Sequence, residues 1–271
     1  MRIRAGFTIT LRCQSPTPFI FLLNVHPSRE PDLVTPDQIR ITPDLPSEIY
    51  LDGFGNRCLR LVAPKGDVTL HNEFLIGDTG RPDEVALEAR QHEVQALPSE
   101  VLVYLLGSRY CDTQRLDDIA WQTFGSTQPG WPRVQAICDF VHDRIAFDYQ
   151  KASPTRTAFD GFNDREGVCR DFAHLAITLC RCMNIPARYC TGYLGDIGIP
   201  PVDYPMDFSA WFEAYLGDRW YTFDARHNVP RIGRILMATG RDATDVALST
   251  GFGSSELQTF EVVTEEVLSE G

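Results

Sequence analysis

Cys169 opens an amphipathic segment at Gly167-Val168-Cys169-Arg170-Asp171, and Asp224 ends the second of two strand-like segments downstream. A sulfur nucleophile followed by a carboxylate is the plan of a thiol hydrolase, in which the carboxylate orients a base. The first turn of a helix offers free N–H groups and the positive end of the dipole, and both favour thiolate over thiol. Their effect is limited. About 1–2 kcal/mol moves a pKa by about one unit, which from ~8.5 leaves a minority of thiolate at neutral pH. A basic partner is therefore needed, to complete ionisation and to protonate a leaving amine. The competing reading is a buried helix cysteine, because Cys169 lies at the edge of an apolar stripe formed by Phe172, Ala176, Leu179 and Met183.

The elements that would position these groups follow from periodicity. Alternation at Ile3, Ala5, Phe7, Ile9, Leu11 and Cys13 predicts a half-buried strand. Phe19 to Val25, Ile49–Leu51, Cys58–Val62 and Val68–Ile76 add strands, with Asp52-Gly53-Phe54-Gly55-Asn56 as a hairpin turn. Residues 1–80 thus predict a small β-sandwich, and the polar stretch at 81–100 predicts a linker. In residues 101–271, Val134, Ile137, Cys138, Val141 and Ile145 repeat at helical spacing, and a second helix runs from about Val168 to Met183 before Pro186. Strands follow at Ala187–Leu194, Phe208–Leu216 and Trp220–Phe223, with a last one at Leu257–Val263. The fold class is α+β.

Bulk composition narrows the function. The 271 residues are 43% hydrophobic and 23% charged, which suits a globular chain. A net charge of −12 without basic blocks argues against nucleic acid and anionic membrane as partners. No stretch approaches the ~20 apolar residues of a membrane span, and the N-terminus lacks a signal-peptide core, so a cytoplasmic location is expected. The eight cysteines include no C-x-x-C pair, which disfavours structural zinc, and disulfides are not needed in such a chain.

Four motifs together carry a resemblance: Gly167-Val168-Cys169-Arg170-Asp171-Phe172-Ala173-His174; Asn184-Ile185-Pro186-Ala187-Arg188-Tyr189; Ala210-Trp211-Phe212-Glu213-Ala214-Tyr215; and Trp220-Tyr221-Thr222-Phe223-Asp224. Over roughly Val101 to Asn228 the chain resembles the transglutaminase-like superfamily. The nearest branch is a bacterial one provisionally classed as cysteine proteases, which often carries a β-rich N-terminal domain. The resemblance implies a papain-like transglutaminase core, a helix packed on an antiparallel sheet, with a Cys-His-Asp triad. It makes Cys169 the nucleophile and Asp224 the orienting carboxylate. The family's histidine precedes an Ala-Trp pair, and that position here is Ser209.

A serine cannot act as a base near neutral pH, so two readings stay open. In one, another histidine substitutes. His227, three residues past Asp224, is the first candidate and His174 the second, while His142 lies on a different helix. In the other, the base is gone and the chain is a non-catalytic protein-interaction module. Trp211, Phe212, Trp220 and Tyr221 could line an acyl groove, although at strand spacing they fit sheet core better. Arg170 and Asp171 are expected as a first-turn pair on a solvated face. The reaction implied is acyl transfer on an amide of a protein or peptide substrate, with no metal or organic cofactor; a calcium loop of the D-x-D-x-D-G type is absent.

Overall fold

The computed structural model describes residues 1–200 and 207–267. The first six strands are β1 (Arg2–Cys13), β2 (Thr17–Phe21), β3 (Arg40–Thr42), β4 (Ser47–Leu51), β5 (Arg57–Ala63) and β6 (Gly66–Gly77). Then come α1 (Thr113–Phe124), α2 (Trp131–Arg144), β7 (Ala146–Phe147), α3 (Ala158–Asp164), β8 (Glu166–Gly167) and α4 (Cys169–Cys182). The chain continues through β9 (Ala187–Tyr193), β10 (Phe208–Leu216), β11 (Arg219–Phe223), β12 (Ile235–Gly240), β13 (Ser249–Gly251) and β14 (Ser255–Val267). Helix α1 was not among the elements expected from periodicity.

The strands of the N-terminal part form two sheets, ordered β14-β1-β6-β3 and β13-β2-β5-β4. Alternation in β1 does what period two requires: Ile3, Ala5, Phe7, Ile9, Leu11 and Cys13 are all buried, and Phe21, Leu61, Leu70 and Ile76 share their core. One expectation needs correction. The range 101–271 assigned to the core contains β13 and β14, yet both complete the sandwich. β14 runs antiparallel to β1 from Arg2↔Val267 to Cys13↔Ser255, and β13 pairs with β2. The alternation of a single strand shows that it is a strand but not which edge it joins.

The sheet that carries the candidate site is antiparallel, in the order β11-β10-β9-β12. Ala210, Phe212, Ala214 and Phe223 turn one of its faces toward the stripe of α4, where Phe172, Ala176, Leu179 and Met183 lie in the same buried core. Helices α1, α2 and α3 pack round α4. The other end of the sheet, through Tyr193, Phe208 and Ile235, merges with the sandwich core. The two parts of the chain therefore share continuous hydrophobic contact.

Candidate active site

Helix α4 starts at Cys169 because Val168 is extended and the Asp171 carboxylate accepts the Val168 N–H at 2.8 Å. Gly167 permits this, since a Cβ there would strike the Asp171 side chain. Asp171 is 2% exposed and meets Arg156 at 3.3 Å. The expected solvated Arg170–Asp171 pair is thus wrong: Asp171 is a buried capping carboxylate. Burial pushes its carboxyl above the ordinary range, although Val168 N–H, Arg170 and Arg156 pull the other way.

Cys169 occupies the first helical position and lines a cavity of about 600 Å³, together with Tyr110, Tyr189, Phe208, Ser209 and Phe260. That volume is typical of a small-ligand site. The thiol environment departs from the helix-dipole expectation. Burial is the largest influence and raises the thiol to about 11, against Arg226 and the Ala210 N–H that bonds the sulfur; Asp207 and Asp224 add to the rise. The neutral thiol is therefore the favoured form near pH 7. Desolvation outweighs the helix terminus.

Asp224 follows β11 and is 7% exposed. Its Oδ1 accepts the backbone N–H groups of Arg226 (3.0 Å) and His227 (3.1 Å). Its Oδ2 accepts from His227 Nδ1 (2.8 Å) and from Nη2 of Arg234 (2.9 Å). Burial alone would raise this carboxyl, but Arg234 and His227 override it and hold it well below the usual carboxylate range. Asp224 does not line the Cys169 cavity, although its charge reaches the thiol.

Ser209 lies on β10 opposite Gly192 of β9 and is 6% exposed; its Oγ has no partner among the described residues. His227 is joined to Asp224, and among the described residues no imidazole hydrogen-bonds the sulfur of Cys169. His174 is fully buried between Tyr110 and Tyr189. Its Nε2 accepts the Ala243 N–H at 3.1 Å, and burial holds it below its ordinary pKa. A base needs a free lone pair facing the substrate, so His174 serves instead as a tether for the cavity wall at Ala243.

Arg226 and Arg234 were not read from the sequence, and His142, set aside there as a base, has a structural role. His142 on α2 donates from Nδ1 to the carbonyls of Ala225 (3.2 Å) and Arg226 (2.9 Å), which fixes the turn after Asp224. Arg226 stacks on Phe147 at 3.8 Å and is the cation that most favours a Cys169 thiolate. Arg234, 8% exposed, bridges Asp83 (2.9 Å) and Asp224, and stands 5.0 Å over the Trp211 ring. Trp211 consequently belongs to the side of the sheet facing Arg234, and it lines a different cavity from that of Cys169. Among the described residues no cluster of three His, Cys, Asp or Glu side chains could hold a metal ion. No helix of the described residues is long and apolar enough to cross a membrane.

Comparison with known proteins agrees with this architecture. Residues 118–225 match the family described as the transglutaminase-like superfamily. An uncharacterized protein of Mycobacterium leprae is 34% identical over 108 residues, 37% of this chain and 38% of that protein. One of Mycobacterium tuberculosis is 30% identical over 158 residues, 53% of this chain and 50% of that protein. The chain thus matches half or less of the length of these curated relatives. A crystal structure from Cytophaga hutchinsonii, of a protein provisionally classed as a cysteine protease, superimposes with a TM-score of 0.81 at 30% identity. That match covers 100% of this chain and 92% of the other. A helix that begins at a cysteine, a sheet whose strand ends at an aspartate and a full-length structural match converge: the chain belongs to the transglutaminase-like superfamily.

Proposed function

We propose that the protein carries out thiol-dependent acyl transfer on amides. The transglutaminase-like fold and the Cytophaga hutchinsonii neighbour support this general kind of chemistry. In this reading Cys169 is the nucleophile and His227, oriented by Asp224, is the base. The observation that carries it is the His227 Nδ1–Asp224 Oδ2 contact of 2.8 Å, which leaves Nε2 as the proton acceptor. The Cys169 sulfur forms a bond to the amide carbon while its proton passes to His227 Nε2. The C–N bond then breaks, the proton goes to the departing amine, and a thioester remains. Water or a second amine resolves the thioester. The Cys169 backbone N–H, at the helix start, would help stabilise the oxyanion. Because the resting thiol is protonated, the proton must leave as the S–C bond forms.

A second reading, a catalytically impaired interaction module, is favoured by two observations. The thiol is raised to about 11, and Ser209 offers no imidazole where the family has one. Single-turnover acylation separates the two. With a glutaminyl peptide at pH 7–8, mass spectrometry should find a thioester on Cys169 of the wild type. His227→Ala should slow its formation by about 10²–10⁴-fold. Alkylation of Cys169 by iodoacetamide without substrate should keep rising beyond pH 10, because only the thiolate reacts. Absence of any thioester in the wild type, with alkylation profiles identical in both proteins, would establish the module instead.

A further inference from the structure

The segment between β6 and α1 passes the core beside the Asp224 carboxylate. Arg81, Pro82, Glu84 and Val85 are exposed there, but Asp83 turns inward. It is fastened to the stretch after Asp224 by two reciprocal bonds: its N–H donates to the Arg231 carbonyl at 2.9 Å, and its Oδ2 accepts the Arg231 N–H at 2.9 Å. The same carboxylate accepts from Nε of Arg234, at 2.9 Å to Oδ2 and 3.1 Å to Oδ1. Arg234 is thereby divided between two carboxylates. Nε serves Asp83, and Nη2 serves Asp224 at Oδ2.

This division decides how much of Asp224 is left for His227. Oδ1 is taken by two backbone N–H groups, so the imidazole shares Oδ2 with Arg234. Asp224 is held in its ionised form and can only accept, which makes Nδ1 the protonated nitrogen and leaves Nε2 bare. A guanidinium without other ties grips a carboxylate with two parallel N–H bonds. Arg234 also has a buried Nη1 without an acceptor among the described residues, which favours a turn of the group if Nε is released. A two-pronged grip on Asp224 would take the lone pairs that now receive His227.

We infer that Asp83 is a positioning residue for the candidate catalytic pair: by holding Nε of Arg234, it confines that arginine to one bond with Asp224 and keeps Oδ2 open to Nδ1–H of His227. The inference rests on the reading of His227 as the base. Asp83 acts through Arg234 and lies outside the cavity of Cys169.

Nitrogen-15 NMR of the whole chain, labelled at histidine, tests it alongside the single-turnover acylation. In the wild type the neutral His227 ring should be one tautomer, with Nδ1 protonated and Nε2 bare. Asp83→Ala should lose that signature, the proton moving to Nε2 as Nδ1 loses its acceptor, and should slow thioester formation on Cys169 by about 10–10²-fold. Asp83→Asn keeps an oxygen for Nε and should retain both, and Arg60→Ala, in the exposed pair with Glu48, should leave both unchanged. A wild-type His227 signature in folded Asp83→Ala overturns the inference, as does an Asp83→Asn that behaves like Asp83→Ala. If the wild type forms no thioester while Asp83→Ala still loses the signature, the acyl-transfer reading fails and the positioning role stands. Should Asp83→Ala not fold, Asp83→Ser decides: its hydroxyl can still accept the Arg231 N–H but is one bond shorter toward Arg234. It should lose the signature in the same way, and a retained signature overturns the inference.

Discussion

Ser209 and Asp224 are related by strand register. Phe212 pairs with Phe223, so position 224 falls opposite Trp211, and Ser209 projects on the same side two residues further along β10. An imidazole at position 209 would thus leave the strand toward the Asp224 carboxylate. Ser209→His should raise amidase activity, by up to about 10²-fold, as judged by release of ammonia from a glutaminyl peptide. A folded variant without gain would show that Arg234 and His227 already saturate that carboxylate. The sequence made Cys169, Asp224 and the Ser209 exchange legible because each sits in a short motif. It hid Arg226 and Arg234, because an arginine outside a regular element carries no mark of what it will touch, and it gave no sign that His142 on α2 would hold the turn after Asp224. The desolvation of the Cys169 thiol was hidden too: the helix terminus is a local property, whereas the surroundings of the sulfur include Tyr189 and Phe208, which are distant in sequence.

At the level of elements, β9 is the strand on which the site sheet depends, since it pairs with both β10 and β12. Gly192 lies at its crossing point. A Cβ there would collide with the Ile235 carbonyl of β12 and press on the Trp211 ring. Gly192→Ala should therefore destabilise the protein by about 1–3 kcal/mol, read as a lower midpoint in urea at unchanged slope. A midpoint equal to the wild type would mean that β9 and β12 separate without cost. Most strands and the helix from Cys169 to Cys182 were recognisable because each shows its own period over several residues. α1 was not expected, although Leu116, Ala120 and Phe124 are buried at helical spacing.

At the level of the molecule, sandwich and core are interlocked. Residues 249–267 leave the core side and pair with the first two strands, and Phe260 of β14 lines the cavity of Cys169. Removal of residues 255–271 should strip β1 of its outer partner and open that cavity. The truncated protein is expected to aggregate or to melt well below the wild type in a thermal scan. A soluble truncation with the wild-type Tm would show that β14 is dispensable. Pairing across such a distance could not be read from alternation alone. It also constrains how the protein is made. Domains usually fold in order as they leave the ribosome. Here β1 must keep one edge bare until residue 267 emerges, so that strand depends on being shielded while the residues between it and β14 are made.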